Sequence, residues 1–315
     1  MELEKIISQS QDFLNLQTEI TNNSISKSIL LITKDEQYSF EFALLLSSLL
    51  FNDGKLEQNE NFVKVKNFCH PDLKIYPQKD KIMVADSDSI VEEASIKPIF
   101  ANKKIFIIKN IDKGMEQAQN KLLKTLEEPA NNVYFILTTS NVNQVLPTIR
   151  SRCNKIELGK LSKSVTNSLC NGDDLVSALC DGYAGKALIL SQNEQLHTLF
   201  EKVLGVVTKM KTSKTVLAFS KSLANFRDNF NLIIEMLSTI FEDMLFIKTG
   251  KTKFVKLQSH IAELKAVEGE YTVQAISEIR KLLDRAVKEM LFNCNFTVVL
   301  ENLLLNIMEV KYICR

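Results

Sequence analysis

The chain has 315 residues, more than one hydrophobic core ordinarily organises, so two or three domains are expected. Its 45% apolar and 24% charged residues are those of a water-soluble globular protein, and a net charge of +1 gives no case for bulk nucleic-acid binding. The longest apolar runs, such as FALLLSSLLF (42–51), fall far short of the ~20 residues a membrane span needs.

The opening MELEKIISQSQDFLNLQ carries acids near its start and no apolar stretch, so it is not a signal peptide, and a cytoplasmic location is expected. SILLIT (28–33) has the length of a short strand, and SFEFALLLSSLLF (39–51) reads as a helix. DLKIYP (72–77) and KIMVAD (81–86) read as strands, and SDSIVEEASIKPIF (87–100) as a helix opened by Ser89, with Glu92 completing a capping box. KKIFIIKN (103–110) holds the continuous apolar run of a buried parallel strand. MEQAQNKLLKTLEEP (115–129) places Met115, Ala118, Leu122, Leu123 and Leu126 on one helical face, and Pro129 ends it. NVYFILTTS (132–140) is another buried strand, and NKIEL (154–158) an edge strand. Strands alternating with helices imply βαβ units and a parallel sheet.

Near residue 159 the texture changes. GDDLVSALCDGYAGKALIL (172–190) reads as short helices around a glycine-marked turn, and amphipathic helices follow at 196–211, 228–247, 253–266, 271–292 and 296–312. The fold class is therefore α/β plus all-α: an α/β domain over 1–159, a small helical piece over 160–195 and a helical bundle over 196–315. Six cysteines, Cys69, Cys153, Cys170, Cys180, Cys294 and Cys314, include no C-x-x-C pair, so reduced thiols are expected.

A first strand leading into a helix is where a phosphate-binding loop would sit, and that loop needs glycines, a lysine and a hydroxyl. The register here gives Thr33 and Tyr38 for the glycines, Ser39 for the lysine and Phe40 for the hydroxyl residue. Tyr38 would fill space that phosphates need. A Walker B strand ends in Asp-Glu, the aspartate holding magnesium. Here IFII is followed by Lys109 and Asn110, and Asp112 is better placed as a helix cap. Two losses at one site predict that the chain neither binds nor hydrolyses ATP productively.

NKLLKTLEEPANNVYFILTTSNVNQVLPTIRSRC (120–153) closely resembles the core of bacterial clamp-loader subunits, members of the AAA+ class. HPDLKIY (70–76), ASIKPIFANKKIFII (94–108), GYAGKAL (182–188) and NCNFTVVLENLLL (293–305) are similar to further parts of that family. The resemblance implies an AAA+ domain with a degenerate nucleotide site, a helical lid, and a C-terminal collar that oligomerises. Without its own P-loop or Asp-Glu, the chain looks like a non-hydrolysing member of a five-subunit ring. Its implied partners are the gamma/tau motor subunits and the clamp-opening delta subunit, and through them the sliding clamp and primer-template DNA.

The resemblance makes Arg152 an arginine finger acting in trans, with Ser151 and Cys153 positioning its loop and Arg150 in support. Only six of the 39 basic residues are arginines, and Arg150 and Arg152 lie two apart. From the tripeptide alone, a surface arginine in a strand-entry loop is the plainer reading. A planar guanidinium suits a phosphoryl transition state better than lysine does. Thr138 and Thr139 stand where hydrolysing members place sensor 1, and Lys186 where the lid carries its sensor arginine. Adjacent Glu127 and Glu128 point about 100° apart on a helix and are no acid/base pair. The family usually carries a four-cysteine zinc module before its His-Pro-Asp segment, but residues 51–70 offer only Cys69 and His70, too few for a tetrahedral site, so no zinc is expected. Two other classes stay open: an ATP-hydrolysing motor subunit with an atypical phosphate loop, and a plain helical scaffold with a degenerate nucleotide fold.

Overall fold

Two short helices open the chain, α1 (Glu2–Gln9) and α2 (Gln11–Thr21), followed by strand β1 (Ser28–Ile32). The computed structural model describes residues 2–78 and 81–313. Then come α3 (Glu36–Phe51), α4 (Glu60–Lys66), β2 (Leu73–Tyr76), α5 (Val84–Ala94), β3 (Lys104–Ile108), α6 (Glu116–Glu127), β4 (Val133–Thr139), α7 (Pro147–Arg150) and β5 (Asn154–Glu157). The strands form one parallel sheet in the order β2-β3-β4-β1-β5, with β5 on the edge that its sequence predicts. One sheet face presents Leu30, Phe106, Ile108, Phe135 and Leu137 to Ile90 and Ala94 of α5, to Ala118, Leu122 and Leu126 of α6, and to Ile149 and Cys153. At its centre Phe106 and Phe135 stack with ring centroids 5.1 Å apart. Burying such apolar side chains contributes roughly 1.5–3 kcal/mol each, which is why the strands read as unbroken hydrophobic runs.

Several elements differ from the sequence expectation. Residues 81–86 form no strand: the Met83 N–H donates to Asp86 Oδ2 at 2.7 Å and opens α5 at Val84. Ser89 therefore lies inside α5, its hydroxyl donating to the Ala85 carbonyl, and is not the cap. The helix stops at Ala94, four residues before Pro98, which has no N–H for the Ala94 carbonyl and whose ring would clash with it. Met115 precedes α6 and is exposed rather than on its buried face. The Asp112 carboxylate accepts from the Ser140 hydroxyl at 3.0 Å instead of capping a helix.

Two compact units divide the chain, one of Met1–Leu161 with Tyr183–Lys186, the other of Ser162–Gly182 with Ala187–Arg315. The second unit is helical: α8 (Lys163–Leu169), α9 (Asp174–Cys180), α10 (Ala184–Ser191, whose first turn belongs to the first unit), α11 (Leu196–Lys209), α12 (Ser213–Leu223), α13 (Phe230–Lys248), α14 (Ile261–Val267), α15 (Val273–Leu291) and α16 (Phe296–Ile313). The expected 253–266 helix breaks into 3-10 turns before α14, because buried Asp243 of α13 accepts the Lys256 and Leu257 N–H groups at 2.8 Å each and holds that segment extended. Tyr271 is fully buried, its hydroxyl donating to the Val207 carbonyl at 3.0 Å. Among the described residues, no helix is long and apolar enough to cross a membrane.

Candidate functional site

The connection from β1 to α3 is three residues, Thr33, Lys34 and Asp35. The helix begins at Glu36, three positions before Ser39, so residues that a phosphate loop would leave open are wound into its first turn. Asp35 caps that turn. Its Oδ1 accepts from the Tyr38 N–H at 3.1 Å, and its Oδ2 from the Gly185 N–H at 2.7 Å. An anion belongs at a helix N-terminus, where unpaired N–H groups and the helix dipole favour negative charge. Here the protein's own carboxylate takes that place. Burial pushes the Asp35 carboxyl above the usual carboxylate range, against the N–H donors of Tyr38, Gly185 and Lys186 and the Lys186 charge, which act to lower it.

Gly185 must be a glycine. A Cβ there would lie 2.3 Å from Asp35 Oδ1, 2.6 Å from Gln37 Cβ and 3.0 Å from the Tyr38 nitrogen. The Tyr38 ring does not fill phosphate space as its position in the sequence suggests. It turns toward Phe42, 6.3 Å between centroids, and bonds Ser10 through its hydroxyl, which burial pushes up to about 12. Asp35 and Gly185 close the site instead. Ser39 is buried and donates to the Glu36 carbonyl at 2.9 Å. Phe40 stacks on Phe68 at 6.0 Å, with Lys109 Nζ 5.1 Å from its ring centroid. Thr33 receives the Asp35 N–H on its hydroxyl at 3.3 Å.

The Walker B positions are consumed in the same way. Asn110 is left-handed, φ 50°, and its side-chain amide donates to Glu36 Oε2 at 2.7 Å. Lys113 pairs with the same carboxylate at 2.8 Å. Thr138, at the sensor position, accepts the Asn110 N–H at 3.0 Å, and the Thr139 carbonyl accepts the Thr33 N–H at 3.1 Å. A cleft of about 470 Å³ remains beside them, lined by Glu36, Phe40, Lys109, Asn110 and Lys113. Among the described residues that line it, the one acid, Glu36, is already bridged to an amide and a lysine.

Arg152 lies between α7 and β5, partly exposed. Its Nε and Nη2 donate to Glu127 Oε2 at 3.0 and 2.8 Å, and Nη1 donates to the Thr148 carbonyl at 3.0 Å. Helix α6 shapes this loop twice. Buried Gln119 accepts the Leu146 N–H at 2.9 Å and donates to the Gly114 and Gln144 carbonyls, while Glu127, the last residue of α6, takes the guanidinium. Cys153 is buried in the sheet core, its thiol pushed up to about 12 by burial, so it anchors the loop and is no nucleophile. Ser151 follows α7 and donates to the Thr148 carbonyl at 3.1 Å. Arg150, half-buried, leaves its Nε without a hydrogen-bond partner among the described residues.

The His-Pro-Asp segment is a staple. Asp72 is fully buried and accepts the N–H groups of Ile99, Phe100 and Ala101 at 2.6, 2.7 and 2.7 Å. Burial alone would raise its carboxyl, but those three donors hold it below the usual range. His70 stacks on Phe51 at 3.9 Å and accepts the Asp72 N–H on Nδ1 at 3.2 Å. Cys69 is exposed, its Sγ 3.6 Å from the Lys64 carbonyl. Among the described residues, no three His, Cys, Asp or Glu side chains are grouped to hold a metal ion.

Sequence reasoning missed Asp35, Glu36, Gly185 and Glu127. An acid immediately before the first helical residue is the ordinary N-cap signal and marks Asp35. Gly185, 150 residues along the chain from Asp35, carries no such local mark.

The sequence model of the family described as DNA polymerase III, delta subunit, matches residues 8–162. Along 93% of this chain and 94% of the relative, the sequence is 26% identical to DNA polymerase III subunit delta′ of Bacillus subtilis (strain 168). The chain belongs to the clamp-loader family of DNA polymerase III subunits. Another family member, DNA polymerase III subunit gamma of Buchnera aphidicola subsp. Baizongia pistaciae, is 24% identical over 245 residues, 65% of this chain and 66% of the relative. Among solved structures, a gamma subunit-related protein of Thermotoga maritima superposes with a TM-score of 0.53 at 21% identity, covering 94% of this chain and 99% of that one. That likeness is one of fold: a parallel α/β domain followed by a helical C-terminal part, as the sequence predicts.

Proposed function

We propose that this chain serves in a clamp loader as a subunit that does not use ATP itself and lends Arg152 to the ATP site of a neighbour. Helping to load a sliding clamp onto primed DNA is the role its family membership supports. The observation that carries the non-hydrolysing part is the α3 N-terminus: Asp35, capped onto Tyr38 and Gly185, occupies the anion position, and Glu36 is bridged to Asn110 and Lys113. A nucleotide phosphate entering there would meet the Asp35 carboxylate rather than open backbone N–H groups. The partners are gamma/tau motor subunits and a delta subunit in a five-membered ring, with the clamp and primer-template DNA reached through the assembly. The three-part division into an AAA+ domain (1–159), a lid (160–195) and an oligomerising collar (196–315) belongs to the same reading, as does the absence of a zinc module. No catalytic step runs through Ser151 or Cys153, which hold the loop.

The isolated chain, dialysed against labelled ATP and magnesium, should retain none at millimolar nucleotide, contain no stoichiometric zinc, and still join gamma/tau and delta subunits in one complex. Saturable ATP binding would make it a motor subunit with an atypical loop. Failure to join the complex would leave a helical scaffold unrelated to clamp loading.

A further inference from the structure

An unrestrained arginine on a loop samples many rotamers, and a group that acts at a transition state works best when its geometry is fixed beforehand. Arg152 is held. Of the five N–H bonds on a guanidinium, Nε–H and one Nη2–H meet Glu127 Oε2, and one Nη1–H meets the Thr148 carbonyl. One N–H on each terminal nitrogen is left. Two coplanar donors on adjacent nitrogens match a pair of phosphate oxygens. Glu127 is also oddly placed for a residue with only a structural role. It ends α6, where the aligned carbonyls of the helix favour a cation over a carboxylate. Its side chain and that of Arg152 are 55% and 29% exposed, and an ion pair so open to water contributes little to folding.

We propose that Glu127 is the positioning residue of Arg152: it fixes the guanidinium plane at the end of α6, through one edge of the fork, so that the remaining N–H of each terminal nitrogen is presented to a phosphate held by another chain. The inference rests on the finger role proposed above and adds to it the residue that aims the finger. Glu127 touches no nucleotide in this account and acts through Arg152 alone. The Thr148 carbonyl, four residues before Arg152, supplies the second fixed point from the backbone of α7.

The test is the DNA-stimulated ATPase of the reconstituted loader carrying wild-type, Arg152→Ala, Glu127→Ala, Glu127→Gln or doubly substituted chain, with melting of each isolated chain alongside. Glu127→Ala should lower kcat on the order of 10-fold with KM for ATP unchanged, as expected of a misaligned catalytic group. Glu127→Gln, which keeps an acceptor oxygen, should recover part of the loss. The double variant should be no slower than Arg152→Ala, and no Glu127 variant should melt lower than wild type. A wild-type rate for Glu127→Ala beside a slow Arg152→Ala overturns the positioning role and leaves the finger standing. A faster rate for Glu127→Ala, a double variant slower than Arg152→Ala, or a loss that tracks a lowered melting temperature overturns it too. A wild-type rate for Arg152→Ala removes both the finger and its positioning residue.

Discussion

Asp35 and Arg152 are both charged side chains at loop positions of the same α/β unit, and they are treated in opposite ways. Asp35 is buried and bonded to backbone N–H groups from its own helix and from Tyr183–Lys186. Arg152 is partly exposed and held by one carboxylate and one carbonyl, with donors to spare. A polar group that the protein satisfies internally is costly to free once it is buried. A side chain stays available when only part of its bonding capacity is used and water still reaches it.

Four substitutions break or sharpen that contrast. Asp35→Ala should be the most destructive to the fold, removing a helix cap and stranding the Gly185 N–H, for a combined loss of about 2–4 kcal/mol in urea unfolding. A loss under about 0.5 kcal/mol would mean the closed α3 terminus is not what holds this corner together. Gly185→Ala should destabilise by about 1–3 kcal/mol, because its methyl meets the Asp35 carboxylate and the Gln37 Cβ; unchanged melting would show that the segment can shift aside. His70 gives a smaller, pH-dependent effect. Burial lowers its pKa from 6.5, Asp72 opposing and Lys64 assisting. The unfolded chain thus binds the proton more readily, and the histidine's contribution is complete above about pH 6.5 and is lost as the pH falls below it. The stability slope just below pH 6.5 should drop by up to ~1.4 kcal/mol per pH unit in His70→Phe, and an unaltered slope would assign it to other groups. Arg152→Ala should move the melting temperature least of all, since an exposed pair is worth about 0–1 kcal/mol.

The sheet was legible because buried parallel strands leave continuous apolar runs, as in Ile105–Ile108 and Phe135–Leu137, and because Pro129 ends the helix before β4. The departure from a phosphate-loop and Walker B pattern was legible too, since Ser39 and Lys109 stand at fixed offsets from β1 and β3. The contacts made around the α3 N-terminus were not. The Asp35–Gly185 contact joins residues 150 apart and depends on a missing Cβ, which leaves no period or spacing to detect. Glu127 reads with Glu128 only as no acid/base pair, because its partner comes 25 residues later from another element. KIMVAD has the alternation of a strand, but the Asp86 carboxylate catches the Met83 N–H and starts a helix, so a local cap overrides the pattern.

On the proposed reading, this chain contributes chemistry to a nucleotide it does not itself hold. DNA-stimulated ATP turnover of the reconstituted loader, measured with wild-type and Arg152→Ala chains at equal assembly, tests it most directly. The predicted result is an intact complex whose turnover at the site served by Arg152 falls by on the order of 10³. Turnover equal to wild type in a fully assembled complex would contradict it.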